Sequence, residues 1–180
     1  MEFTDLLKLI YENDIVSLEN LKLDGVDFCR TDKYDNNNLL IAYAGYGYES
    51  KYQPDEIIDF LLNCGIDINQ KRNKRGKELS ALHIAVAMKN HKIVEHLLKR
   101  EAQIDIQEIN GNTPLWTAVM NYRGEEEQLK IINLLLQNGA SFDIKNLHDK
   151  SVRDMINTIG GGIDAGHNKK EWDLRHLLTK

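Results

Sequence analysis

The chain predicts an all-α solenoid of about five stacked helix-turn-helix units joined by short β-hairpin fingers, and three observations carry that expectation. The block Ser80-Ala81-Leu82-His83-Ile84-Ala85-Val86 returns 33 residues later as Thr113-Pro114-Leu115-Trp116-Thr117-Ala118-Val119. Ile93-Val94-Glu95-His96-Leu97-Leu98 is answered 38 residues on by Ile131-Ile132-Asn133-Leu134-Leu135-Leu136. Gly25-Val26-Asp27-Phe28 recurs at a spacing of 40 as Gly65-Ile66-Asp67-Ile68. Repetition at such periods is read before local propensity, because two short helices cannot bury an apolar face alone and must stack.

Each element follows in order. Phe3, Leu6, Leu7, Leu9 and Ile10 space a first helix, Asn13 and Asp14 break it, and Ile15, Val16, Leu18 and Leu21 mark a second. This degenerate unit at the end of the stack is expected to cap it with a more polar outer face. From about Asp35 a second unit carries Leu39 to Tyr43 and then, after a loop crowded with Gly45, Tyr46, Gly47, Tyr48 and Tyr52, a helix begun by Pro54 and Asp55. Asn69 to Leu79 reads as a strongly basic finger. In the third and fourth units Ser80 and Thr113 precede apolar runs and suit N-caps, and Pro114 fits a first turn that misses no N–H. Ala85 and Ala118 allow close helix approach, while Ile93, Val94, Leu97 and Leu98 form one apolar face. Asn110-Gly111 signals a tight turn, and Gly139 suits the left-handed residue that ends a helix. Asn121 to Glu127 is an enlarged internal loop. Last, Ser151 to Ile156 aligns with the fourth unit at a spacing of 38, but Arg153 and Asp154 stand where Leu115 and Trp116 stood. A glycine-rich loop and a closing helix with Trp172, Leu174, Leu177 and Leu178 follow.

The T-P-L-H-like openings, the I-V-x-x-L-L bodies and the tail Gly139-Ala140-Ser141-Phe142-Asp143-Ile144 resemble ankyrin repeats. The resemblance covers about residues 1 to 156 and divides one domain into an N-terminal capping repeat (1–34), central repeats (35–78, 79–110 and 111–146) and a C-terminal capping repeat (147–180). It implies antiparallel helix pairs with projecting fingers, and a concave protein-binding face made of fingers and first helices. Partner-binding candidates follow by position: Lys33 and Tyr34; Arg72, Lys74 and Arg75; Ile109 and Asn110; Leu147 and His148 on the fingers; Ala87, Met88, Met120 and Asn121 on the first helices, with Arg123 beyond. Aromatic side chains anchor many interfaces, which makes Tyr46, Tyr48 and Tyr122 the preferred loop anchors. Trp116, at the histidine position of its unit, is expected to pack. The run from Asn110 to Gly124, with Lys130-Ile131-Ile132 and Ser151-x-Arg153-Asp154-Met155, is also similar to small stand-alone bacterial ankyrin proteins, some of which are immunity proteins that bind and block a toxin. The alternative is a regulatory or scaffold adaptor for an endogenous protein.

Chemistry is hard to find. His91 and His96 are five residues apart, no HExxH or Cys/His cluster occurs, and His83 occupies a position where the family hydrogen-bonds neighbouring backbone. Gly160 to Gly166 lacks a preceding strand and the Lys-Ser/Thr of a phosphate loop. We therefore expect no enzyme activity, no catalytic residues, no cofactor and no metal. Glu125 to Glu127 suit a helix start, with a negative rim for a basic partner as the functional alternative. The net charge of −5 argues against general nucleic-acid binding, which needs a positive field. Lys71 to Lys77 is the local exception, read either as a solvated turn or as a contact for an acidic surface or phosphate chain. Cys29 and Cys64 are too few for a disulfide framework and are read as free thiols. With no basic leader and no membrane-length apolar run, the expectation is a cytoplasmic monomer whose partner is a protein, a toxin domain in the immunity-protein reading.

Overall fold

The computed structural model describes residues 1–45, 54–74, 76–159 and 174–179. It divides into two compact units, Met1–Ala102 and Gln103–Lys180. The first holds α1 (Phe3–Tyr11), α2 (Ile15–Leu23), α3 (Leu39–Ala44), α4 (Pro54–Asn63), β1 (Lys71–Lys74), β2 (Lys77–Ser80), α5 (Ala81–Ala87) and α6 (His91–Lys99). The second holds α7 (Pro114–Asn121), α8 (Glu126–Gln137), α9 (Val152–Ile159) and a 3₁₀ turn at Arg175–Thr179.

Short helices need their ends satisfied, and six of the nine α-helices among the described residues are capped by a side chain. Asn38 Oδ1 accepts from the Ile41 N–H at 2.8 Å, Asn90 Oδ1 from Ile93 at 3.2 Å and Thr113 Oγ1 from Trp116 at 3.2 Å. Ser80 caps α5, and its hydroxyl also lies 3.0 Å from His83 Nδ1, so the buried His83 serves the helix start as expected. The outer helices end alike. The N–H of Gly25, Gly65, Glu101 and Gly139 donates three residues back, and the following N–H five residues back, the double closure of a Schellman motif.

Packing follows the repeats. In the first unit α1 packs on α3 and α3 on α5, while α4 packs on α6. Leu6, Leu39, Leu40, Leu82 and Ala85 are all buried in the inner layer, and Ile57, Ile58, Leu61, Ile93, Val94 and Leu97 in the outer one. In the second unit α7 packs on α8 and on α9, around Leu115, Ala118, Ile131, Leu135 and Ile156. Arg153, unexpected at a first-helix position, is turned outward to grip Asp143 through Nε at 2.6 Å and Nη2 at 3.1 Å, with its guanidinium 5.6 Å from the Phe142 ring.

The exposed residues of the first repeat are mostly polar, Thr4, Asp5, Lys8 and Glu12 along α1 and Glu19 and Asn20 on α2, although Val16 and Leu23 stand 73% and 84% exposed among them. One expectation changes. In the described part of the closing segment, a short 3₁₀ turn follows Leu174 in place of the expected helix, and Leu174 and Leu177 are buried; Trp172 lies outside the described residues. Among the described residues, no helix is long and apolar enough to cross a membrane.

Candidate functional site

The fingers are built by two different local solutions. In the first unit, residues 71–80 form an antiparallel ladder with Lys71 opposite Ser80, Arg72 opposite Leu79, Asn73 opposite Glu78 and Lys74 opposite Lys77. Opposed residues share a face, so Lys71 and Glu78 belong to one side, where their charged ends lie 3.8 Å apart. Arg72, Lys77 and Leu79 occupy the other. The first finger turns at Asp32, whose carboxylate accepts from the Tyr34 and Asp35 N–H groups at 2.8 and 2.6 Å, and Asn36 takes the left-handed position at φ 52°. A backbone bond from the Asn73 N–H to the Asp35 carbonyl, 2.8 Å, stitches the two fingers together.

In the second unit the fingers are turns without strands. Glu108 bonds across to Asn112, and Ile109-Asn110 turns into Gly111 at φ 80°, a three-residue loop with glycine at its left-handed position. Residues 146–150 repeat this geometry with Asp149 at φ 56°. Buried side chains hold both. Glu108 Oε1 accepts from the Asn112 N–H and Nδ2, its Oε2 accepts from Asn110 Nδ2, and Asn146 Nδ2 donates to Asn112 Oδ1 at 2.8 Å. The Leu147 N–H reaches the Asn110 carbonyl at 2.8 Å, the same stitch as in the first unit.

The residues singled out by sequence are therefore sorted by environment. In the first unit Lys33 and Tyr34 are exposed, the ring at 80% with Lys33 Nζ 5.0 Å from its centroid, and Met88 is 46% exposed at the end of α5. Arg72 is half-buried. In the second unit Ile109 (43%), Leu147 (77%), Asn110, Asn121 and His148 are exposed, and Met120 and Trp116 half-buried. Tyr122 does not fit the role expected of it: it is 4% exposed, because its N–H caps α7 on the Val119 carbonyl and its ring turns inward. Arg123 is engaged locally too, its Nη1 donating to the Met120 and Tyr122 carbonyls at 3.0 and 2.8 Å. Tyr46, Tyr48 and Arg75 lie outside the described residues, as does the side chain of Lys74. Glu126 and Glu127 both pair with Lys130, which raises the lysine's pKa and favours their structural reading over a free negative rim.

One polar cluster escaped the sequence. His96, 5% exposed on α6, sets Nε2 2.8 Å from Asp59 Oδ1, and its Nδ1 lies 2.9 Å from Asp55 Oδ1 outside hydrogen-bond geometry. Arg100 Nε reaches Asp59 Oδ1 at 2.6 Å and its Nη2 bonds Oδ2, a forked pair. The Arg100 guanidinium, with help from His96, holds the Asp59 carboxyl below the ordinary carboxylate range against the opposing effect of burial. The signal was there to find: two acids at i, i+4 on one outer helix, and a histidine and arginine at i, i+4 on the next. The cluster clamps α4 to α6. Among the described residues, no three His, Cys, Asp or Glu side chains group as a metal site requires.

With this geometry in view, relatives can be placed beside it. The family profile described as ankyrin repeats in three copies matches residues 41–146. FPV031 of Fowlpox virus (strain NVSL), named as an ankyrin repeat protein, is 30% identical over 131 residues, covering 72% of this chain and 35% of that protein. Alpha-latrotoxin-Lg1a of Latrodectus geometricus is 30% identical over 69% of the chain and 8% of its own length. L271 of Acanthamoeba polyphaga mimivirus, also named as an ankyrin repeat protein, is 32% identical over 54% of the chain and 12% of its own length. The chain belongs to the ankyrin-repeat family. It spans about a third or less of the length of these relatives, which are viral and eukaryotic. Ankyrin repeats are protein-interaction modules, and the family's usual business is binding and not catalysis.

Proposed function

We propose that the chain is a non-catalytic module that binds another protein through its finger tips and the exposed ends of its first helices. One observation carries this: of seven large apolar side chains left exposed among the described residues, Tyr34, Ile109 and Leu147 sit on finger tips and Met88 at a first-helix end. Turns are otherwise polar, and apolar side chains held out on rigid, stitched loops supply contact area at little ordering cost. In the first unit, Lys33 and Arg72 near Tyr34 add charge that speeds encounter and selects partners. Binding of this kind blocks by occlusion where the partner is a toxin domain to be neutralised, and tethers where it is an endogenous protein. The three relatives described above do not include an immunity protein, so toxin blocking rests on the sequence resemblance alone.

The test is a pull-down from source cells with the tagged protein beside a Tyr34→Ala, Ile109→Ala, Leu147→Ala variant of unchanged melting behaviour. A protein retained by the first and lost from the second supports the module, and its identity separates neutralisation from scaffolding. Equal retention by both overturns the proposed surface.

A further inference from the structure

We propose that the paired finger tips of the first unit receive a short acidic peptide segment carrying an apolar residue, an inference that rests on the protein-binding reading above and specifies its ligand. Five cations and one carboxylate fall between residues 71 and 78 in a chain of net −5, so the remaining residues carry −9. The ladder sorts these charges. Lys71 is answered by Glu78 on one face, whereas Arg72 and Lys77 share the other with Leu79 and have no ion-pair partner among the described residues. Arg72 Nε is out of solvent and without a hydrogen-bond partner there. The guanidinium is only half-buried, and its charge attracts a carboxylate brought to this face.

The first finger lies along the open edge of β1. The Asn73-to-Asp35 stitch sets Lys33 and the exposed Tyr34 ring beside the hairpin; Asp32, which keeps its charge, is bonded to the turn's own Tyr34 and Asp35 N–H groups. The surface thus offers cations around a ring and a partly exposed leucine. A glutamate-rich segment with one apolar side chain complements both.

Size selects a peptide over a nucleic acid. Four-residue strands span roughly 13 Å, little more than the screening length of about 8–10 Å in ordinary salt. A phosphate chain running past the hairpin meets the field of the acidic remainder, whereas a peptide of about five residues ends inside the positive patch.

The test is fluorescence anisotropy of the full chain with a short labelled peptide bearing glutamates on both sides of a central leucine, its glutamine counterpart and a single-stranded oligonucleotide. The acidic peptide is expected to bind, the glutamine peptide to bind at least about tenfold more weakly, and affinity to fall as salt rises from about 50 to about 300 mM. Arg72→Glu with Lys77→Glu should weaken binding at least about tenfold, and Arg72→Gln with Lys77→Gln by less. No preference for glutamate over glutamine, or tighter oligonucleotide binding lost in the same variants, overturns the proposal. A cellular partner still retained by Arg72→Glu with Lys77→Glu leaves the module standing and removes only its acidic ligand.

Discussion

The finger of residues 71–80 and the finger of residues 108–112 differ in what holds them, and that difference decides which polar side chains are left for a partner. The first is a backbone ladder, so its side chains are not needed to make it. The second has no strands and is tied by Glu108, Asn112 and Asn146, two of which are nearly buried polar groups at 9% and 8% exposure. Glu108, Asn112 and Asn146 are consumed by the turns, and the outward side chains are mixed: the apolar Ile109 and, on its neighbour, Leu147, with His148, Asp149 and Lys150 exposed beside it. In the first, cations remain outward. Two surfaces of different chemistry thus arise from one repeat plan.

Glycine substitutions sharpen the comparison most strongly. Both Gly76 and Gly111 have positive φ, 74° and 80°. A Cβ on Gly111 meets Asn146 Cα and the Leu147 backbone nitrogen at 3.0 Å, whereas one on Gly76 meets nothing within 4 Å. Gly111→Ala therefore combines left-handed strain with a backbone clash and should cost about 3 kcal/mol, against about 1 kcal/mol for Gly76→Ala. Urea unfolding of both variants measures it. Equal losses would mean that the second unit's fingers are not stitched as described.

The clamp between α4 and α6 comes next. Asp59→Asn should cost about 1–2 kcal/mol, because the buried His96 loses its carboxylate partner. The pH dependence follows from Asp59, whose folded pKa lies below its ordinary value of 3.8. Such a group stabilises fully above its unfolded pKa, and this contribution is lost as pH falls through the folded one. The gap between wild type and Asp59→Asn should therefore persist at pH 5 to 7 and narrow below about pH 4. A gap that widens in acid contradicts the assignment.

Much of this was legible in the sequence, and the rest was hidden for physical reasons. Leu82, Ala85, Leu115 and Ala118 could be placed inside because the repeats enforce one register, and they are all buried. The basic finger could be seen as a finger, since its polarity breaks two apolar patterns. Tyr122 was misplaced because the enlarged loop hides that α7 runs to Asn121, which leaves the next residue to cap and pack. Periodicity reports one helix at a time: it shows Asp55 and Asp59 on one face and His96 and Arg100 on another, but not that the two faces meet. Exposure of Tyr34 and Leu147 was readable from their turn positions; the burial of Glu108 and Asn146 in equivalent turns was not.

The smallest expected effect concerns a residue that breaks the pattern of its own repeats. Gly25, Gly65 and Gly139 end their outer helices at φ 78°, 93° and 91°, and in the third repeat Glu101 holds the same place at φ 61°. The hydrogen bonds are the same: the Glu101 N–H reaches the Leu98 carbonyl at 3.0 Å and the Ala102 N–H reaches Leu97 at 3.0 Å. A glutamate there carries the crowding of a Cβ in the left-handed region, about 1–2 kcal/mol, and its exposed side chain gains nothing visible in return. Glycine removes that crowding but loses more freedom on folding, about 0.5–1 kcal/mol. The balance favours Glu101→Gly by about 0.5–1 kcal/mol, read as a rise in melting temperature. A fall instead would mean that the carboxylate contributes something at this turn that three other repeats do without.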